Sequence, residues 1–114
     1  MKTQILNELR DEAYNTSKSK GWYDKEPQPT FGDRIALVHS ELSEALEVTR
    51  TGAKINESTY EKDGKPVGVD SELADVIIRV LDMCGFYNID IARAVEEKLN
   101  YNKTRSYRHG NKTL

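Results

Sequence analysis

Glu41 and Glu44 stand three residues apart in HSELSEALE, and Glu72 and Asp75 repeat the spacing in ELADV. Residues i and i+3 are neighbours on a helix, so each pair aims two carboxylates at one point. Carboxylates held together can do general acid–base work or bind a hard cation. On a 100° wheel, Ile35, Val38, Leu42, Ala45 and Leu46 form one apolar arc, with Glu41 beside Ala45 at its edge and Leu37 and Val48 falling between Glu41 and Glu44. Glu47 points away and reads as a solvated acid. Glu72, Asp75, Arg79 and Asp82 make a narrow polar stripe on a helix that is otherwise aliphatic.

Two such helices packed face to face bring four carboxylates into a partly desolvated space, where each costs several kcal/mol, on the order of a weakly compensated buried charge, unless neutralised. Three outcomes are open: proton uptake, pairing with Arg or Lys, or a divalent cation. Oxygen-only donors on rigid helices favour Mg²⁺, with Mn²⁺ as a substitute, and both recruit phosphate oxygens to complete their shell. Arg79 could instead bridge Asp75 and Asp82 at i,i+4 and i,i+3 spacing and leave no site.

The elements that must position these residues are legible from periodicity. Ile5, Leu6, Leu9 and Ala13 predict an amphipathic helix over 3–19. GWYDKEPQPTFG is a loop. A second helix runs from near Asp33, as N-cap, to Arg50, with Gly52 as its stop. Residues 51–69 are polar, contain Asp63-Gly64 and Pro66, and read as a long connection of the kind that serves as a lid or mobile segment. A third helix, capped by Asp70 or Ser71, is apolar nearly all round and therefore expected to be buried on most sides. Asn88 or Asp90 caps a fourth, from about Ile91 to Thr104. Four helices without a convincing strand predict an all-α four-helix bundle in a single domain of 114 residues. With 37% hydrophobic residues, such a protomer is expected to complete its core against copies of itself.

Charge is unevenly spread. From Lys98 onward there is no acidic residue and there are five basic ones, Lys98, Lys103, Arg105, Arg108 and Lys112, which leaves the first 97 residues at −7. The buried face of the fourth helix, set by Ile91 and Val95, continues into Lys98, Asn102 and Arg105. If that stripe runs beside the carboxylates, these residues could hold the phosphates of a metal-bound nucleotide; the plain alternative is a solvated, frayed end. His109 lies in a basic tail, 105–114, that could reach a phosphate. Trp22 could anchor the core or stack on a base, whereas Tyr23 reads as core. An acidic body would repel nucleic acid. One cysteine, Cys84, excludes a disulfide framework and a cysteine zinc site, and neither a signal peptide nor a roughly 20-residue apolar span is visible, so a cytoplasmic protein without membrane contact is expected.

Glu41-x-x-Glu44 followed by Glu72-x-x-Asp75 resembles the metal-binding signature of the MazG-like all-α nucleoside triphosphate pyrophosphohydrolases. ALVHSELSEALE, ELADVIIRVLDM and KLNYNKTRSYRHGNK are similar to the small phage, integron and bacterial members, and KGWY to a KGWW-type stretch after their first helix. The resemblance spans about residues 13–112. It implies a homodimer or homotetramer of four-helix protomers and Mg²⁺ on Glu41, Glu44, Glu72 and Asp75, with Glu41 or Glu44 orienting water. It also implies hydrolysis of a nucleoside triphosphate, often a deoxynucleotide or a modified one, to the monophosphate and pyrophosphate. Lys98, Asn102 and Arg105 would bind phosphate or base, and Trp22 would flank the base. Where the family often carries a second acid beside a ligand glutamate, this chain has Ser40 and Leu42, which leaves the number of ions open. Two rival readings are phosphoribosyl-ATP pyrophosphohydrolase, with the same reaction type on another substrate, and a non-catalytic helical interaction module.

Overall fold

The computed structural model describes all 114 residues. After a single 3-10 turn, Lys2–Gln4, the elements are α1 (Ile5–Ser19), α2 (Phe31–Arg50), β1 (Thr59–Tyr60), β2 (Pro66–Val67), α3 (Val69–Phe86) and α4 (Ile91–Thr104), with one last turn at Arg108–Asn111. The class is therefore mostly helical, with a two-stranded antiparallel ribbon added. None of the helices is long and apolar enough to cross a membrane.

α2 starts earlier than its sequence suggests. Thr30, not Asp33, is the N-cap, and Asp33 is the third helical residue of a capping box. The Asp33 amide donates to Thr30 Oγ1 at 3.1 Å, and the Thr30 amide donates to Asp33 Oδ2 at 2.9 Å. The Thr30 amide first, and the Thr30 hydroxyl second, hold the Asp33 carboxyl below its ordinary range.

The 51–69 connection is also more structured than a mobile lid. Asp63-Gly64 makes a tight turn, with Gly64 at φ +89°, and its closure brings Thr59 opposite Val67 and Tyr60 opposite Pro66. Two side chains expected to cap α3 tie this ribbon down instead: Asp70 accepts from Ser58 Oγ at 2.6 Å, and Ser71 Oγ donates to the Pro66 carbonyl. The N-cap is Gly68, at φ +101° and ψ −176°, a region that essentially only glycine occupies.

α3 is the central element, with α1 packed along one side and α2 along another. α4 instead joins α1 and the N-terminal turn, and polar side chains explain why. Asp90 caps α4 by accepting from the Arg93 amide, as expected, and it also accepts from Asn7 Nδ2 at 3.0 Å. Asn7 in turn accepts from the Ala92 amide, and Thr3 Oγ1 donates to the Ala92 carbonyl. The start of α4 is thus clamped to the chain's own N-terminus.

This arrangement overturns the expectation that α3 is buried on most sides. Val69, Leu81 and Cys84 are buried, but Leu73, Ile77 and Ile78 are 44%, 58% and 49% exposed, since no helix of the chain covers them. On α1, Leu6, Ala13 and Tyr14 turn inward, while Ile5 and Leu9 of the expected stripe stay exposed. The rotation follows from Gly85, whose missing side chain lets the Tyr14 ring lie directly on the α3 backbone. The radius of gyration, 16.8 Å, exceeds the roughly 13 Å of a compact domain this size, as a layered, open arrangement requires.

Candidate metal and anion site

α2 meets α3 antiparallel, along a seam of residues spaced alternately by three and four: Arg34, Val38, Glu41, Ala45 and Val48, all buried or half-buried. Glu41 therefore lies in the middle of the contact face, not at its edge, and it is buried together with Ala45. Leu42 and Leu46, expected inside, are 48% and 64% exposed. The seam places an acid where a hydrophobic residue would normally sit.

Carboxylate oxygens from Glu41, Glu72 and Asp75 lie within 4.8 Å of one another. Glu44 is exposed one turn further along α2, close enough to Glu72 for its charge to be felt there. Glu72 carries the strain of this crowding. Burial first, then the charges of Glu44 and Asp75, push its carboxyl above the ordinary range. One of its oxygens, Oε2, is shut off from solvent and has no hydrogen-bond partner.

Arg79 does not bridge Asp75 and Asp82 along its own helix. It crosses to α2, where Nε donates to Glu41 Oε1 at 2.7 Å. Asp82 is satisfied otherwise, accepting from Ser17 Oγ at 2.7 Å and from the Tyr23 hydroxyl at 2.5 Å. Burial and then this bond to Asp82 raise the Tyr23 phenol well above its usual value. Tyr23 is core, as its sequence context suggests, stacked on Phe86 and edge-on to Tyr14.

A cleft of about 650 Å³ opens beside these groups, within the size range of small-molecule sites. Glu41, Asp75 and Arg79 line it from the helices, Trp22 and Lys25 from the α1–α2 loop, and Arg34 from the start of α2. Trp22 is 61% exposed, with the Lys25 ammonium 5.2 Å from its ring centroid. A flat apolar group could rest on it. The Arg34 guanidinium lies 4.1 Å from the Phe86 ring centroid and donates to Gln28 Oε1, yet its Nε is buried without a partner. Nothing singled out Arg34 or Lys25 from composition, but Arg34 precedes Glu41 by seven residues, two turns on the same face. That spacing is the signal that could have found it.

The other candidate residues are elsewhere. Lys98 and Arg105 lie 5.8 and 5.6 Å from the Tyr101 ring centroid on α4, and Asn102 and His109 are exposed. No residue of α4 or the tail lines the cleft of its own chain. His109 sits at φ +50° in the last turn, among left-handed residues that break the helix there.

The donor set suits a hard divalent cation: oxygen ligands alone, on two rigid helices, with one oxygen that nothing else satisfies. Comparison of the chain with family models, with curated proteins and with solved structures finds no match.

Proposed function

We propose that this chain is a Mg²⁺-dependent nucleoside triphosphate pyrophosphohydrolase of the MazG-like kind, with Mn²⁺ able to substitute, cleaving a nucleoside or deoxynucleoside triphosphate to the monophosphate and pyrophosphate. The observation that carries the reading is the convergence of the α2 and α3 carboxylates, with an unsatisfied Glu72 oxygen behind them, beside a cleft in which Glu41, Asp75 and Asp82 face Lys25, Arg34, Arg79 and the rings of Trp22 and Tyr23. Such a cleft is complementary to a ligand that is anionic at one part and flat at another.

In this reading Glu41, Glu44, Glu72 and Asp75 would hold the cation. When bound, Mg²⁺ supplies Lewis-acid chemistry: it neutralises phosphate charge and acidifies water. The chain's own residues do the rest. Water adds to the α-phosphorus, the bond from that phosphorus to the bridging oxygen breaks, and pyrophosphate leaves. Glu41 or Glu44 orients the water and accepts its proton, and Glu44 is the more accessible of the two. Trp22 stacks on the base. Neither a covalent nucleophile nor a redox group is required.

Lys98, Asn102 and Arg105 retain their phosphate-binding role here only if a second copy brings its α4 to the cleft. The uncovered Leu73, Ile77 and Ile78 of α3, with Leu42 and Leu46 of α2, support a homodimer or homotetramer that closes the helical bundle. A cytoplasmic nucleotide pool is the setting this implies.

The test is to incubate the protein with a panel of ribo- and deoxynucleoside triphosphates, with Mg²⁺ or with EDTA, and resolve the products by ion chromatography. Metal-dependent monophosphate plus pyrophosphate is expected. Diphosphate plus inorganic phosphate would mean that a different bond is cut. No turnover of any nucleotide would turn attention to phosphoribosyl-ATP, and then to a non-catalytic module.

A further inference from the structure

The four acids Glu41, Glu44, Glu72 and Asp75 meet a single cation of the chain, Arg79, and Arg79 touches only one of them. The contact is unequal. The Glu41 side chain is 12% exposed and fixed in the α2–α3 seam, whereas Arg79 is 44% exposed and held by one bond, from Nε. Its two terminal nitrogens make no hydrogen bond to the protein, and the residue lines the cleft. A divalent ion among these carboxylates would compete with Arg79 for Glu41 and would repel the guanidinium.

A displaced Arg79 has a place to go. Arg79 and Arg34 line one narrow recess of the cleft together, with Tyr23 and Asp82. Asp82, in the same recess, accepts from two hydroxyls and makes no bond to either arginine. Arg34 brings a buried Nε with no partner, and Lys25 lines the same cleft. Lys25, Arg34 and Arg79 would then share the cleft with Asp75 and Asp82, neither of which forms an ion pair with any of them, and planar guanidinium groups match phosphate oxygens.

We infer that Arg79 is an exchangeable internal counter-ion: it holds Glu41 while the carboxylates lack a divalent cation, and on cation binding it releases Glu41 and joins Arg34 in binding the anionic part of the ligand. This rests on the metal reading proposed above. It assigns phosphate recognition within one protomer to α2 and α3, in place of the basic end of α4.

The test uses magnesium chloride alone and inorganic tripolyphosphate as probes, on the wild type and Arg79→Gln. Isothermal titration should show Mg²⁺ binding the variant about tenfold more tightly, the change expected when a unit charge about 6 Å from a divalent ion is removed even at the dielectric of water. Tripolyphosphate, titrated in the presence of Mg²⁺, should bind the variant about tenfold more weakly, the scale of one lost charge-assisted contact. In the wild type, the Arg79 Nε–H resonance should lose its slow solvent exchange when Mg²⁺ is added. That arm needs no variant, so it decides the matter even if Arg79→Gln does not fold. An Nε–H signal unmoved by saturating Mg²⁺, or equal tripolyphosphate affinity in the two proteins, would overturn the exchange while leaving the metal site standing. Absence of any Mg²⁺ binding by the wild type would overturn both.

Discussion

Gly85 sits where α1 crosses α3, and replacing it with alanine should separate the two helices. A Cβ at that position would lie 2.5 Å from Tyr14 Cβ and 2.9 Å from Tyr14 Cγ. Carbon atoms in contact prefer about 3.5–4.0 Å, so α1 must retreat by about 1 Å. Tyr14 Cβ is fixed to the backbone, and no rotamer change removes the clash. Overpacking of this kind costs about 1–3 kcal/mol, and the better helix propensity of alanine returns at most about 1 kcal/mol. A net loss of about 1–2 kcal/mol is expected, or about 5–10 °C in melting temperature for a domain of this size. Urea denaturation followed by circular dichroism should show a lower midpoint at an unchanged slope. Near-ultraviolet signal should also change, because Tyr14 and Phe86 hold the Tyr23 ring between them. Gly32 is the control: a Cβ there meets nothing nearer than Thr30 Oγ1 at 3.8 Å, so Gly32→Ala should stabilise. If Gly85→Ala matched or exceeded wild-type stability, α1 and α3 could not approach as closely as described, and the placement of Tyr23 and the Trp22 loop would be wrong with it.

Two further substitutions test local features. Glu72 has a carboxyl raised above its ordinary value by burial and by its acidic neighbours. The native state therefore holds that proton more readily than the unfolded chain, and metal-free stability should fall as pH rises from about that value through the raised one. Glu72→Gln should flatten this slope in EDTA and leave the protein at least as stable as wild type at neutral pH; a steeper or unchanged slope would refute the crowding. Thr30→Ala removes one side of the α2 capping box and should cost about 1 kcal/mol by thermal denaturation. In that variant the Asp33 carboxyl should titrate somewhat closer to the ordinary range, read by carbon-13 NMR, because the Thr30 hydroxyl is lost while the larger contribution, from the residue-30 amide, remains. Asp33 supports the fold above its ordinary pKa and loses that contribution as pH falls through the depressed one, so an acid-side loss that is the same in both proteins would contradict the cap.

The helices and the acidic pairs were legible because both follow the 3.6-residue period. Glu41 with Glu44 and Glu72 with Asp75 are placed by spacing alone, and Asp90 announces the start of α4 through the turn it ends. What spacing does not encode is the partner of a face. The wheel placed Leu42 and Leu46 inside and Glu41 at the margin, but the seam with α3 selected the stripe through Arg34, Val38, Glu41 and Ala45. Arg79 has acids at i−4 and i+3 on its own helix, yet its bond goes to Glu41, thirty-eight residues away, a contact that only tertiary packing creates. The ribbon at 59–67 was missed because two-residue strands leave no alternation to read, although Asp63-Gly64 marked its turn. The direction of α4 was hidden for a similar reason: Thr3 and Asn7, which fix it to the N-terminus, are unremarkable polar residues in an amphipathic helix.

The central claim is that the α2 and α3 carboxylates hold a divalent cation, and melting the protein in MgCl₂ and in EDTA tests it most directly. Glu72→Gln is the cleanest comparison, since Glu72 has no cationic partner to orphan, whereas Glu41→Gln would strip Arg79 of its carboxylate. At ten times the dissociation constant a bound ion stabilises by about 1.4 kcal/mol. The wild type should therefore melt several degrees higher in Mg²⁺ than in EDTA, and Glu72→Gln should show little or no gain. Identical melting of the wild type with and without Mg²⁺ at every concentration would contradict the account.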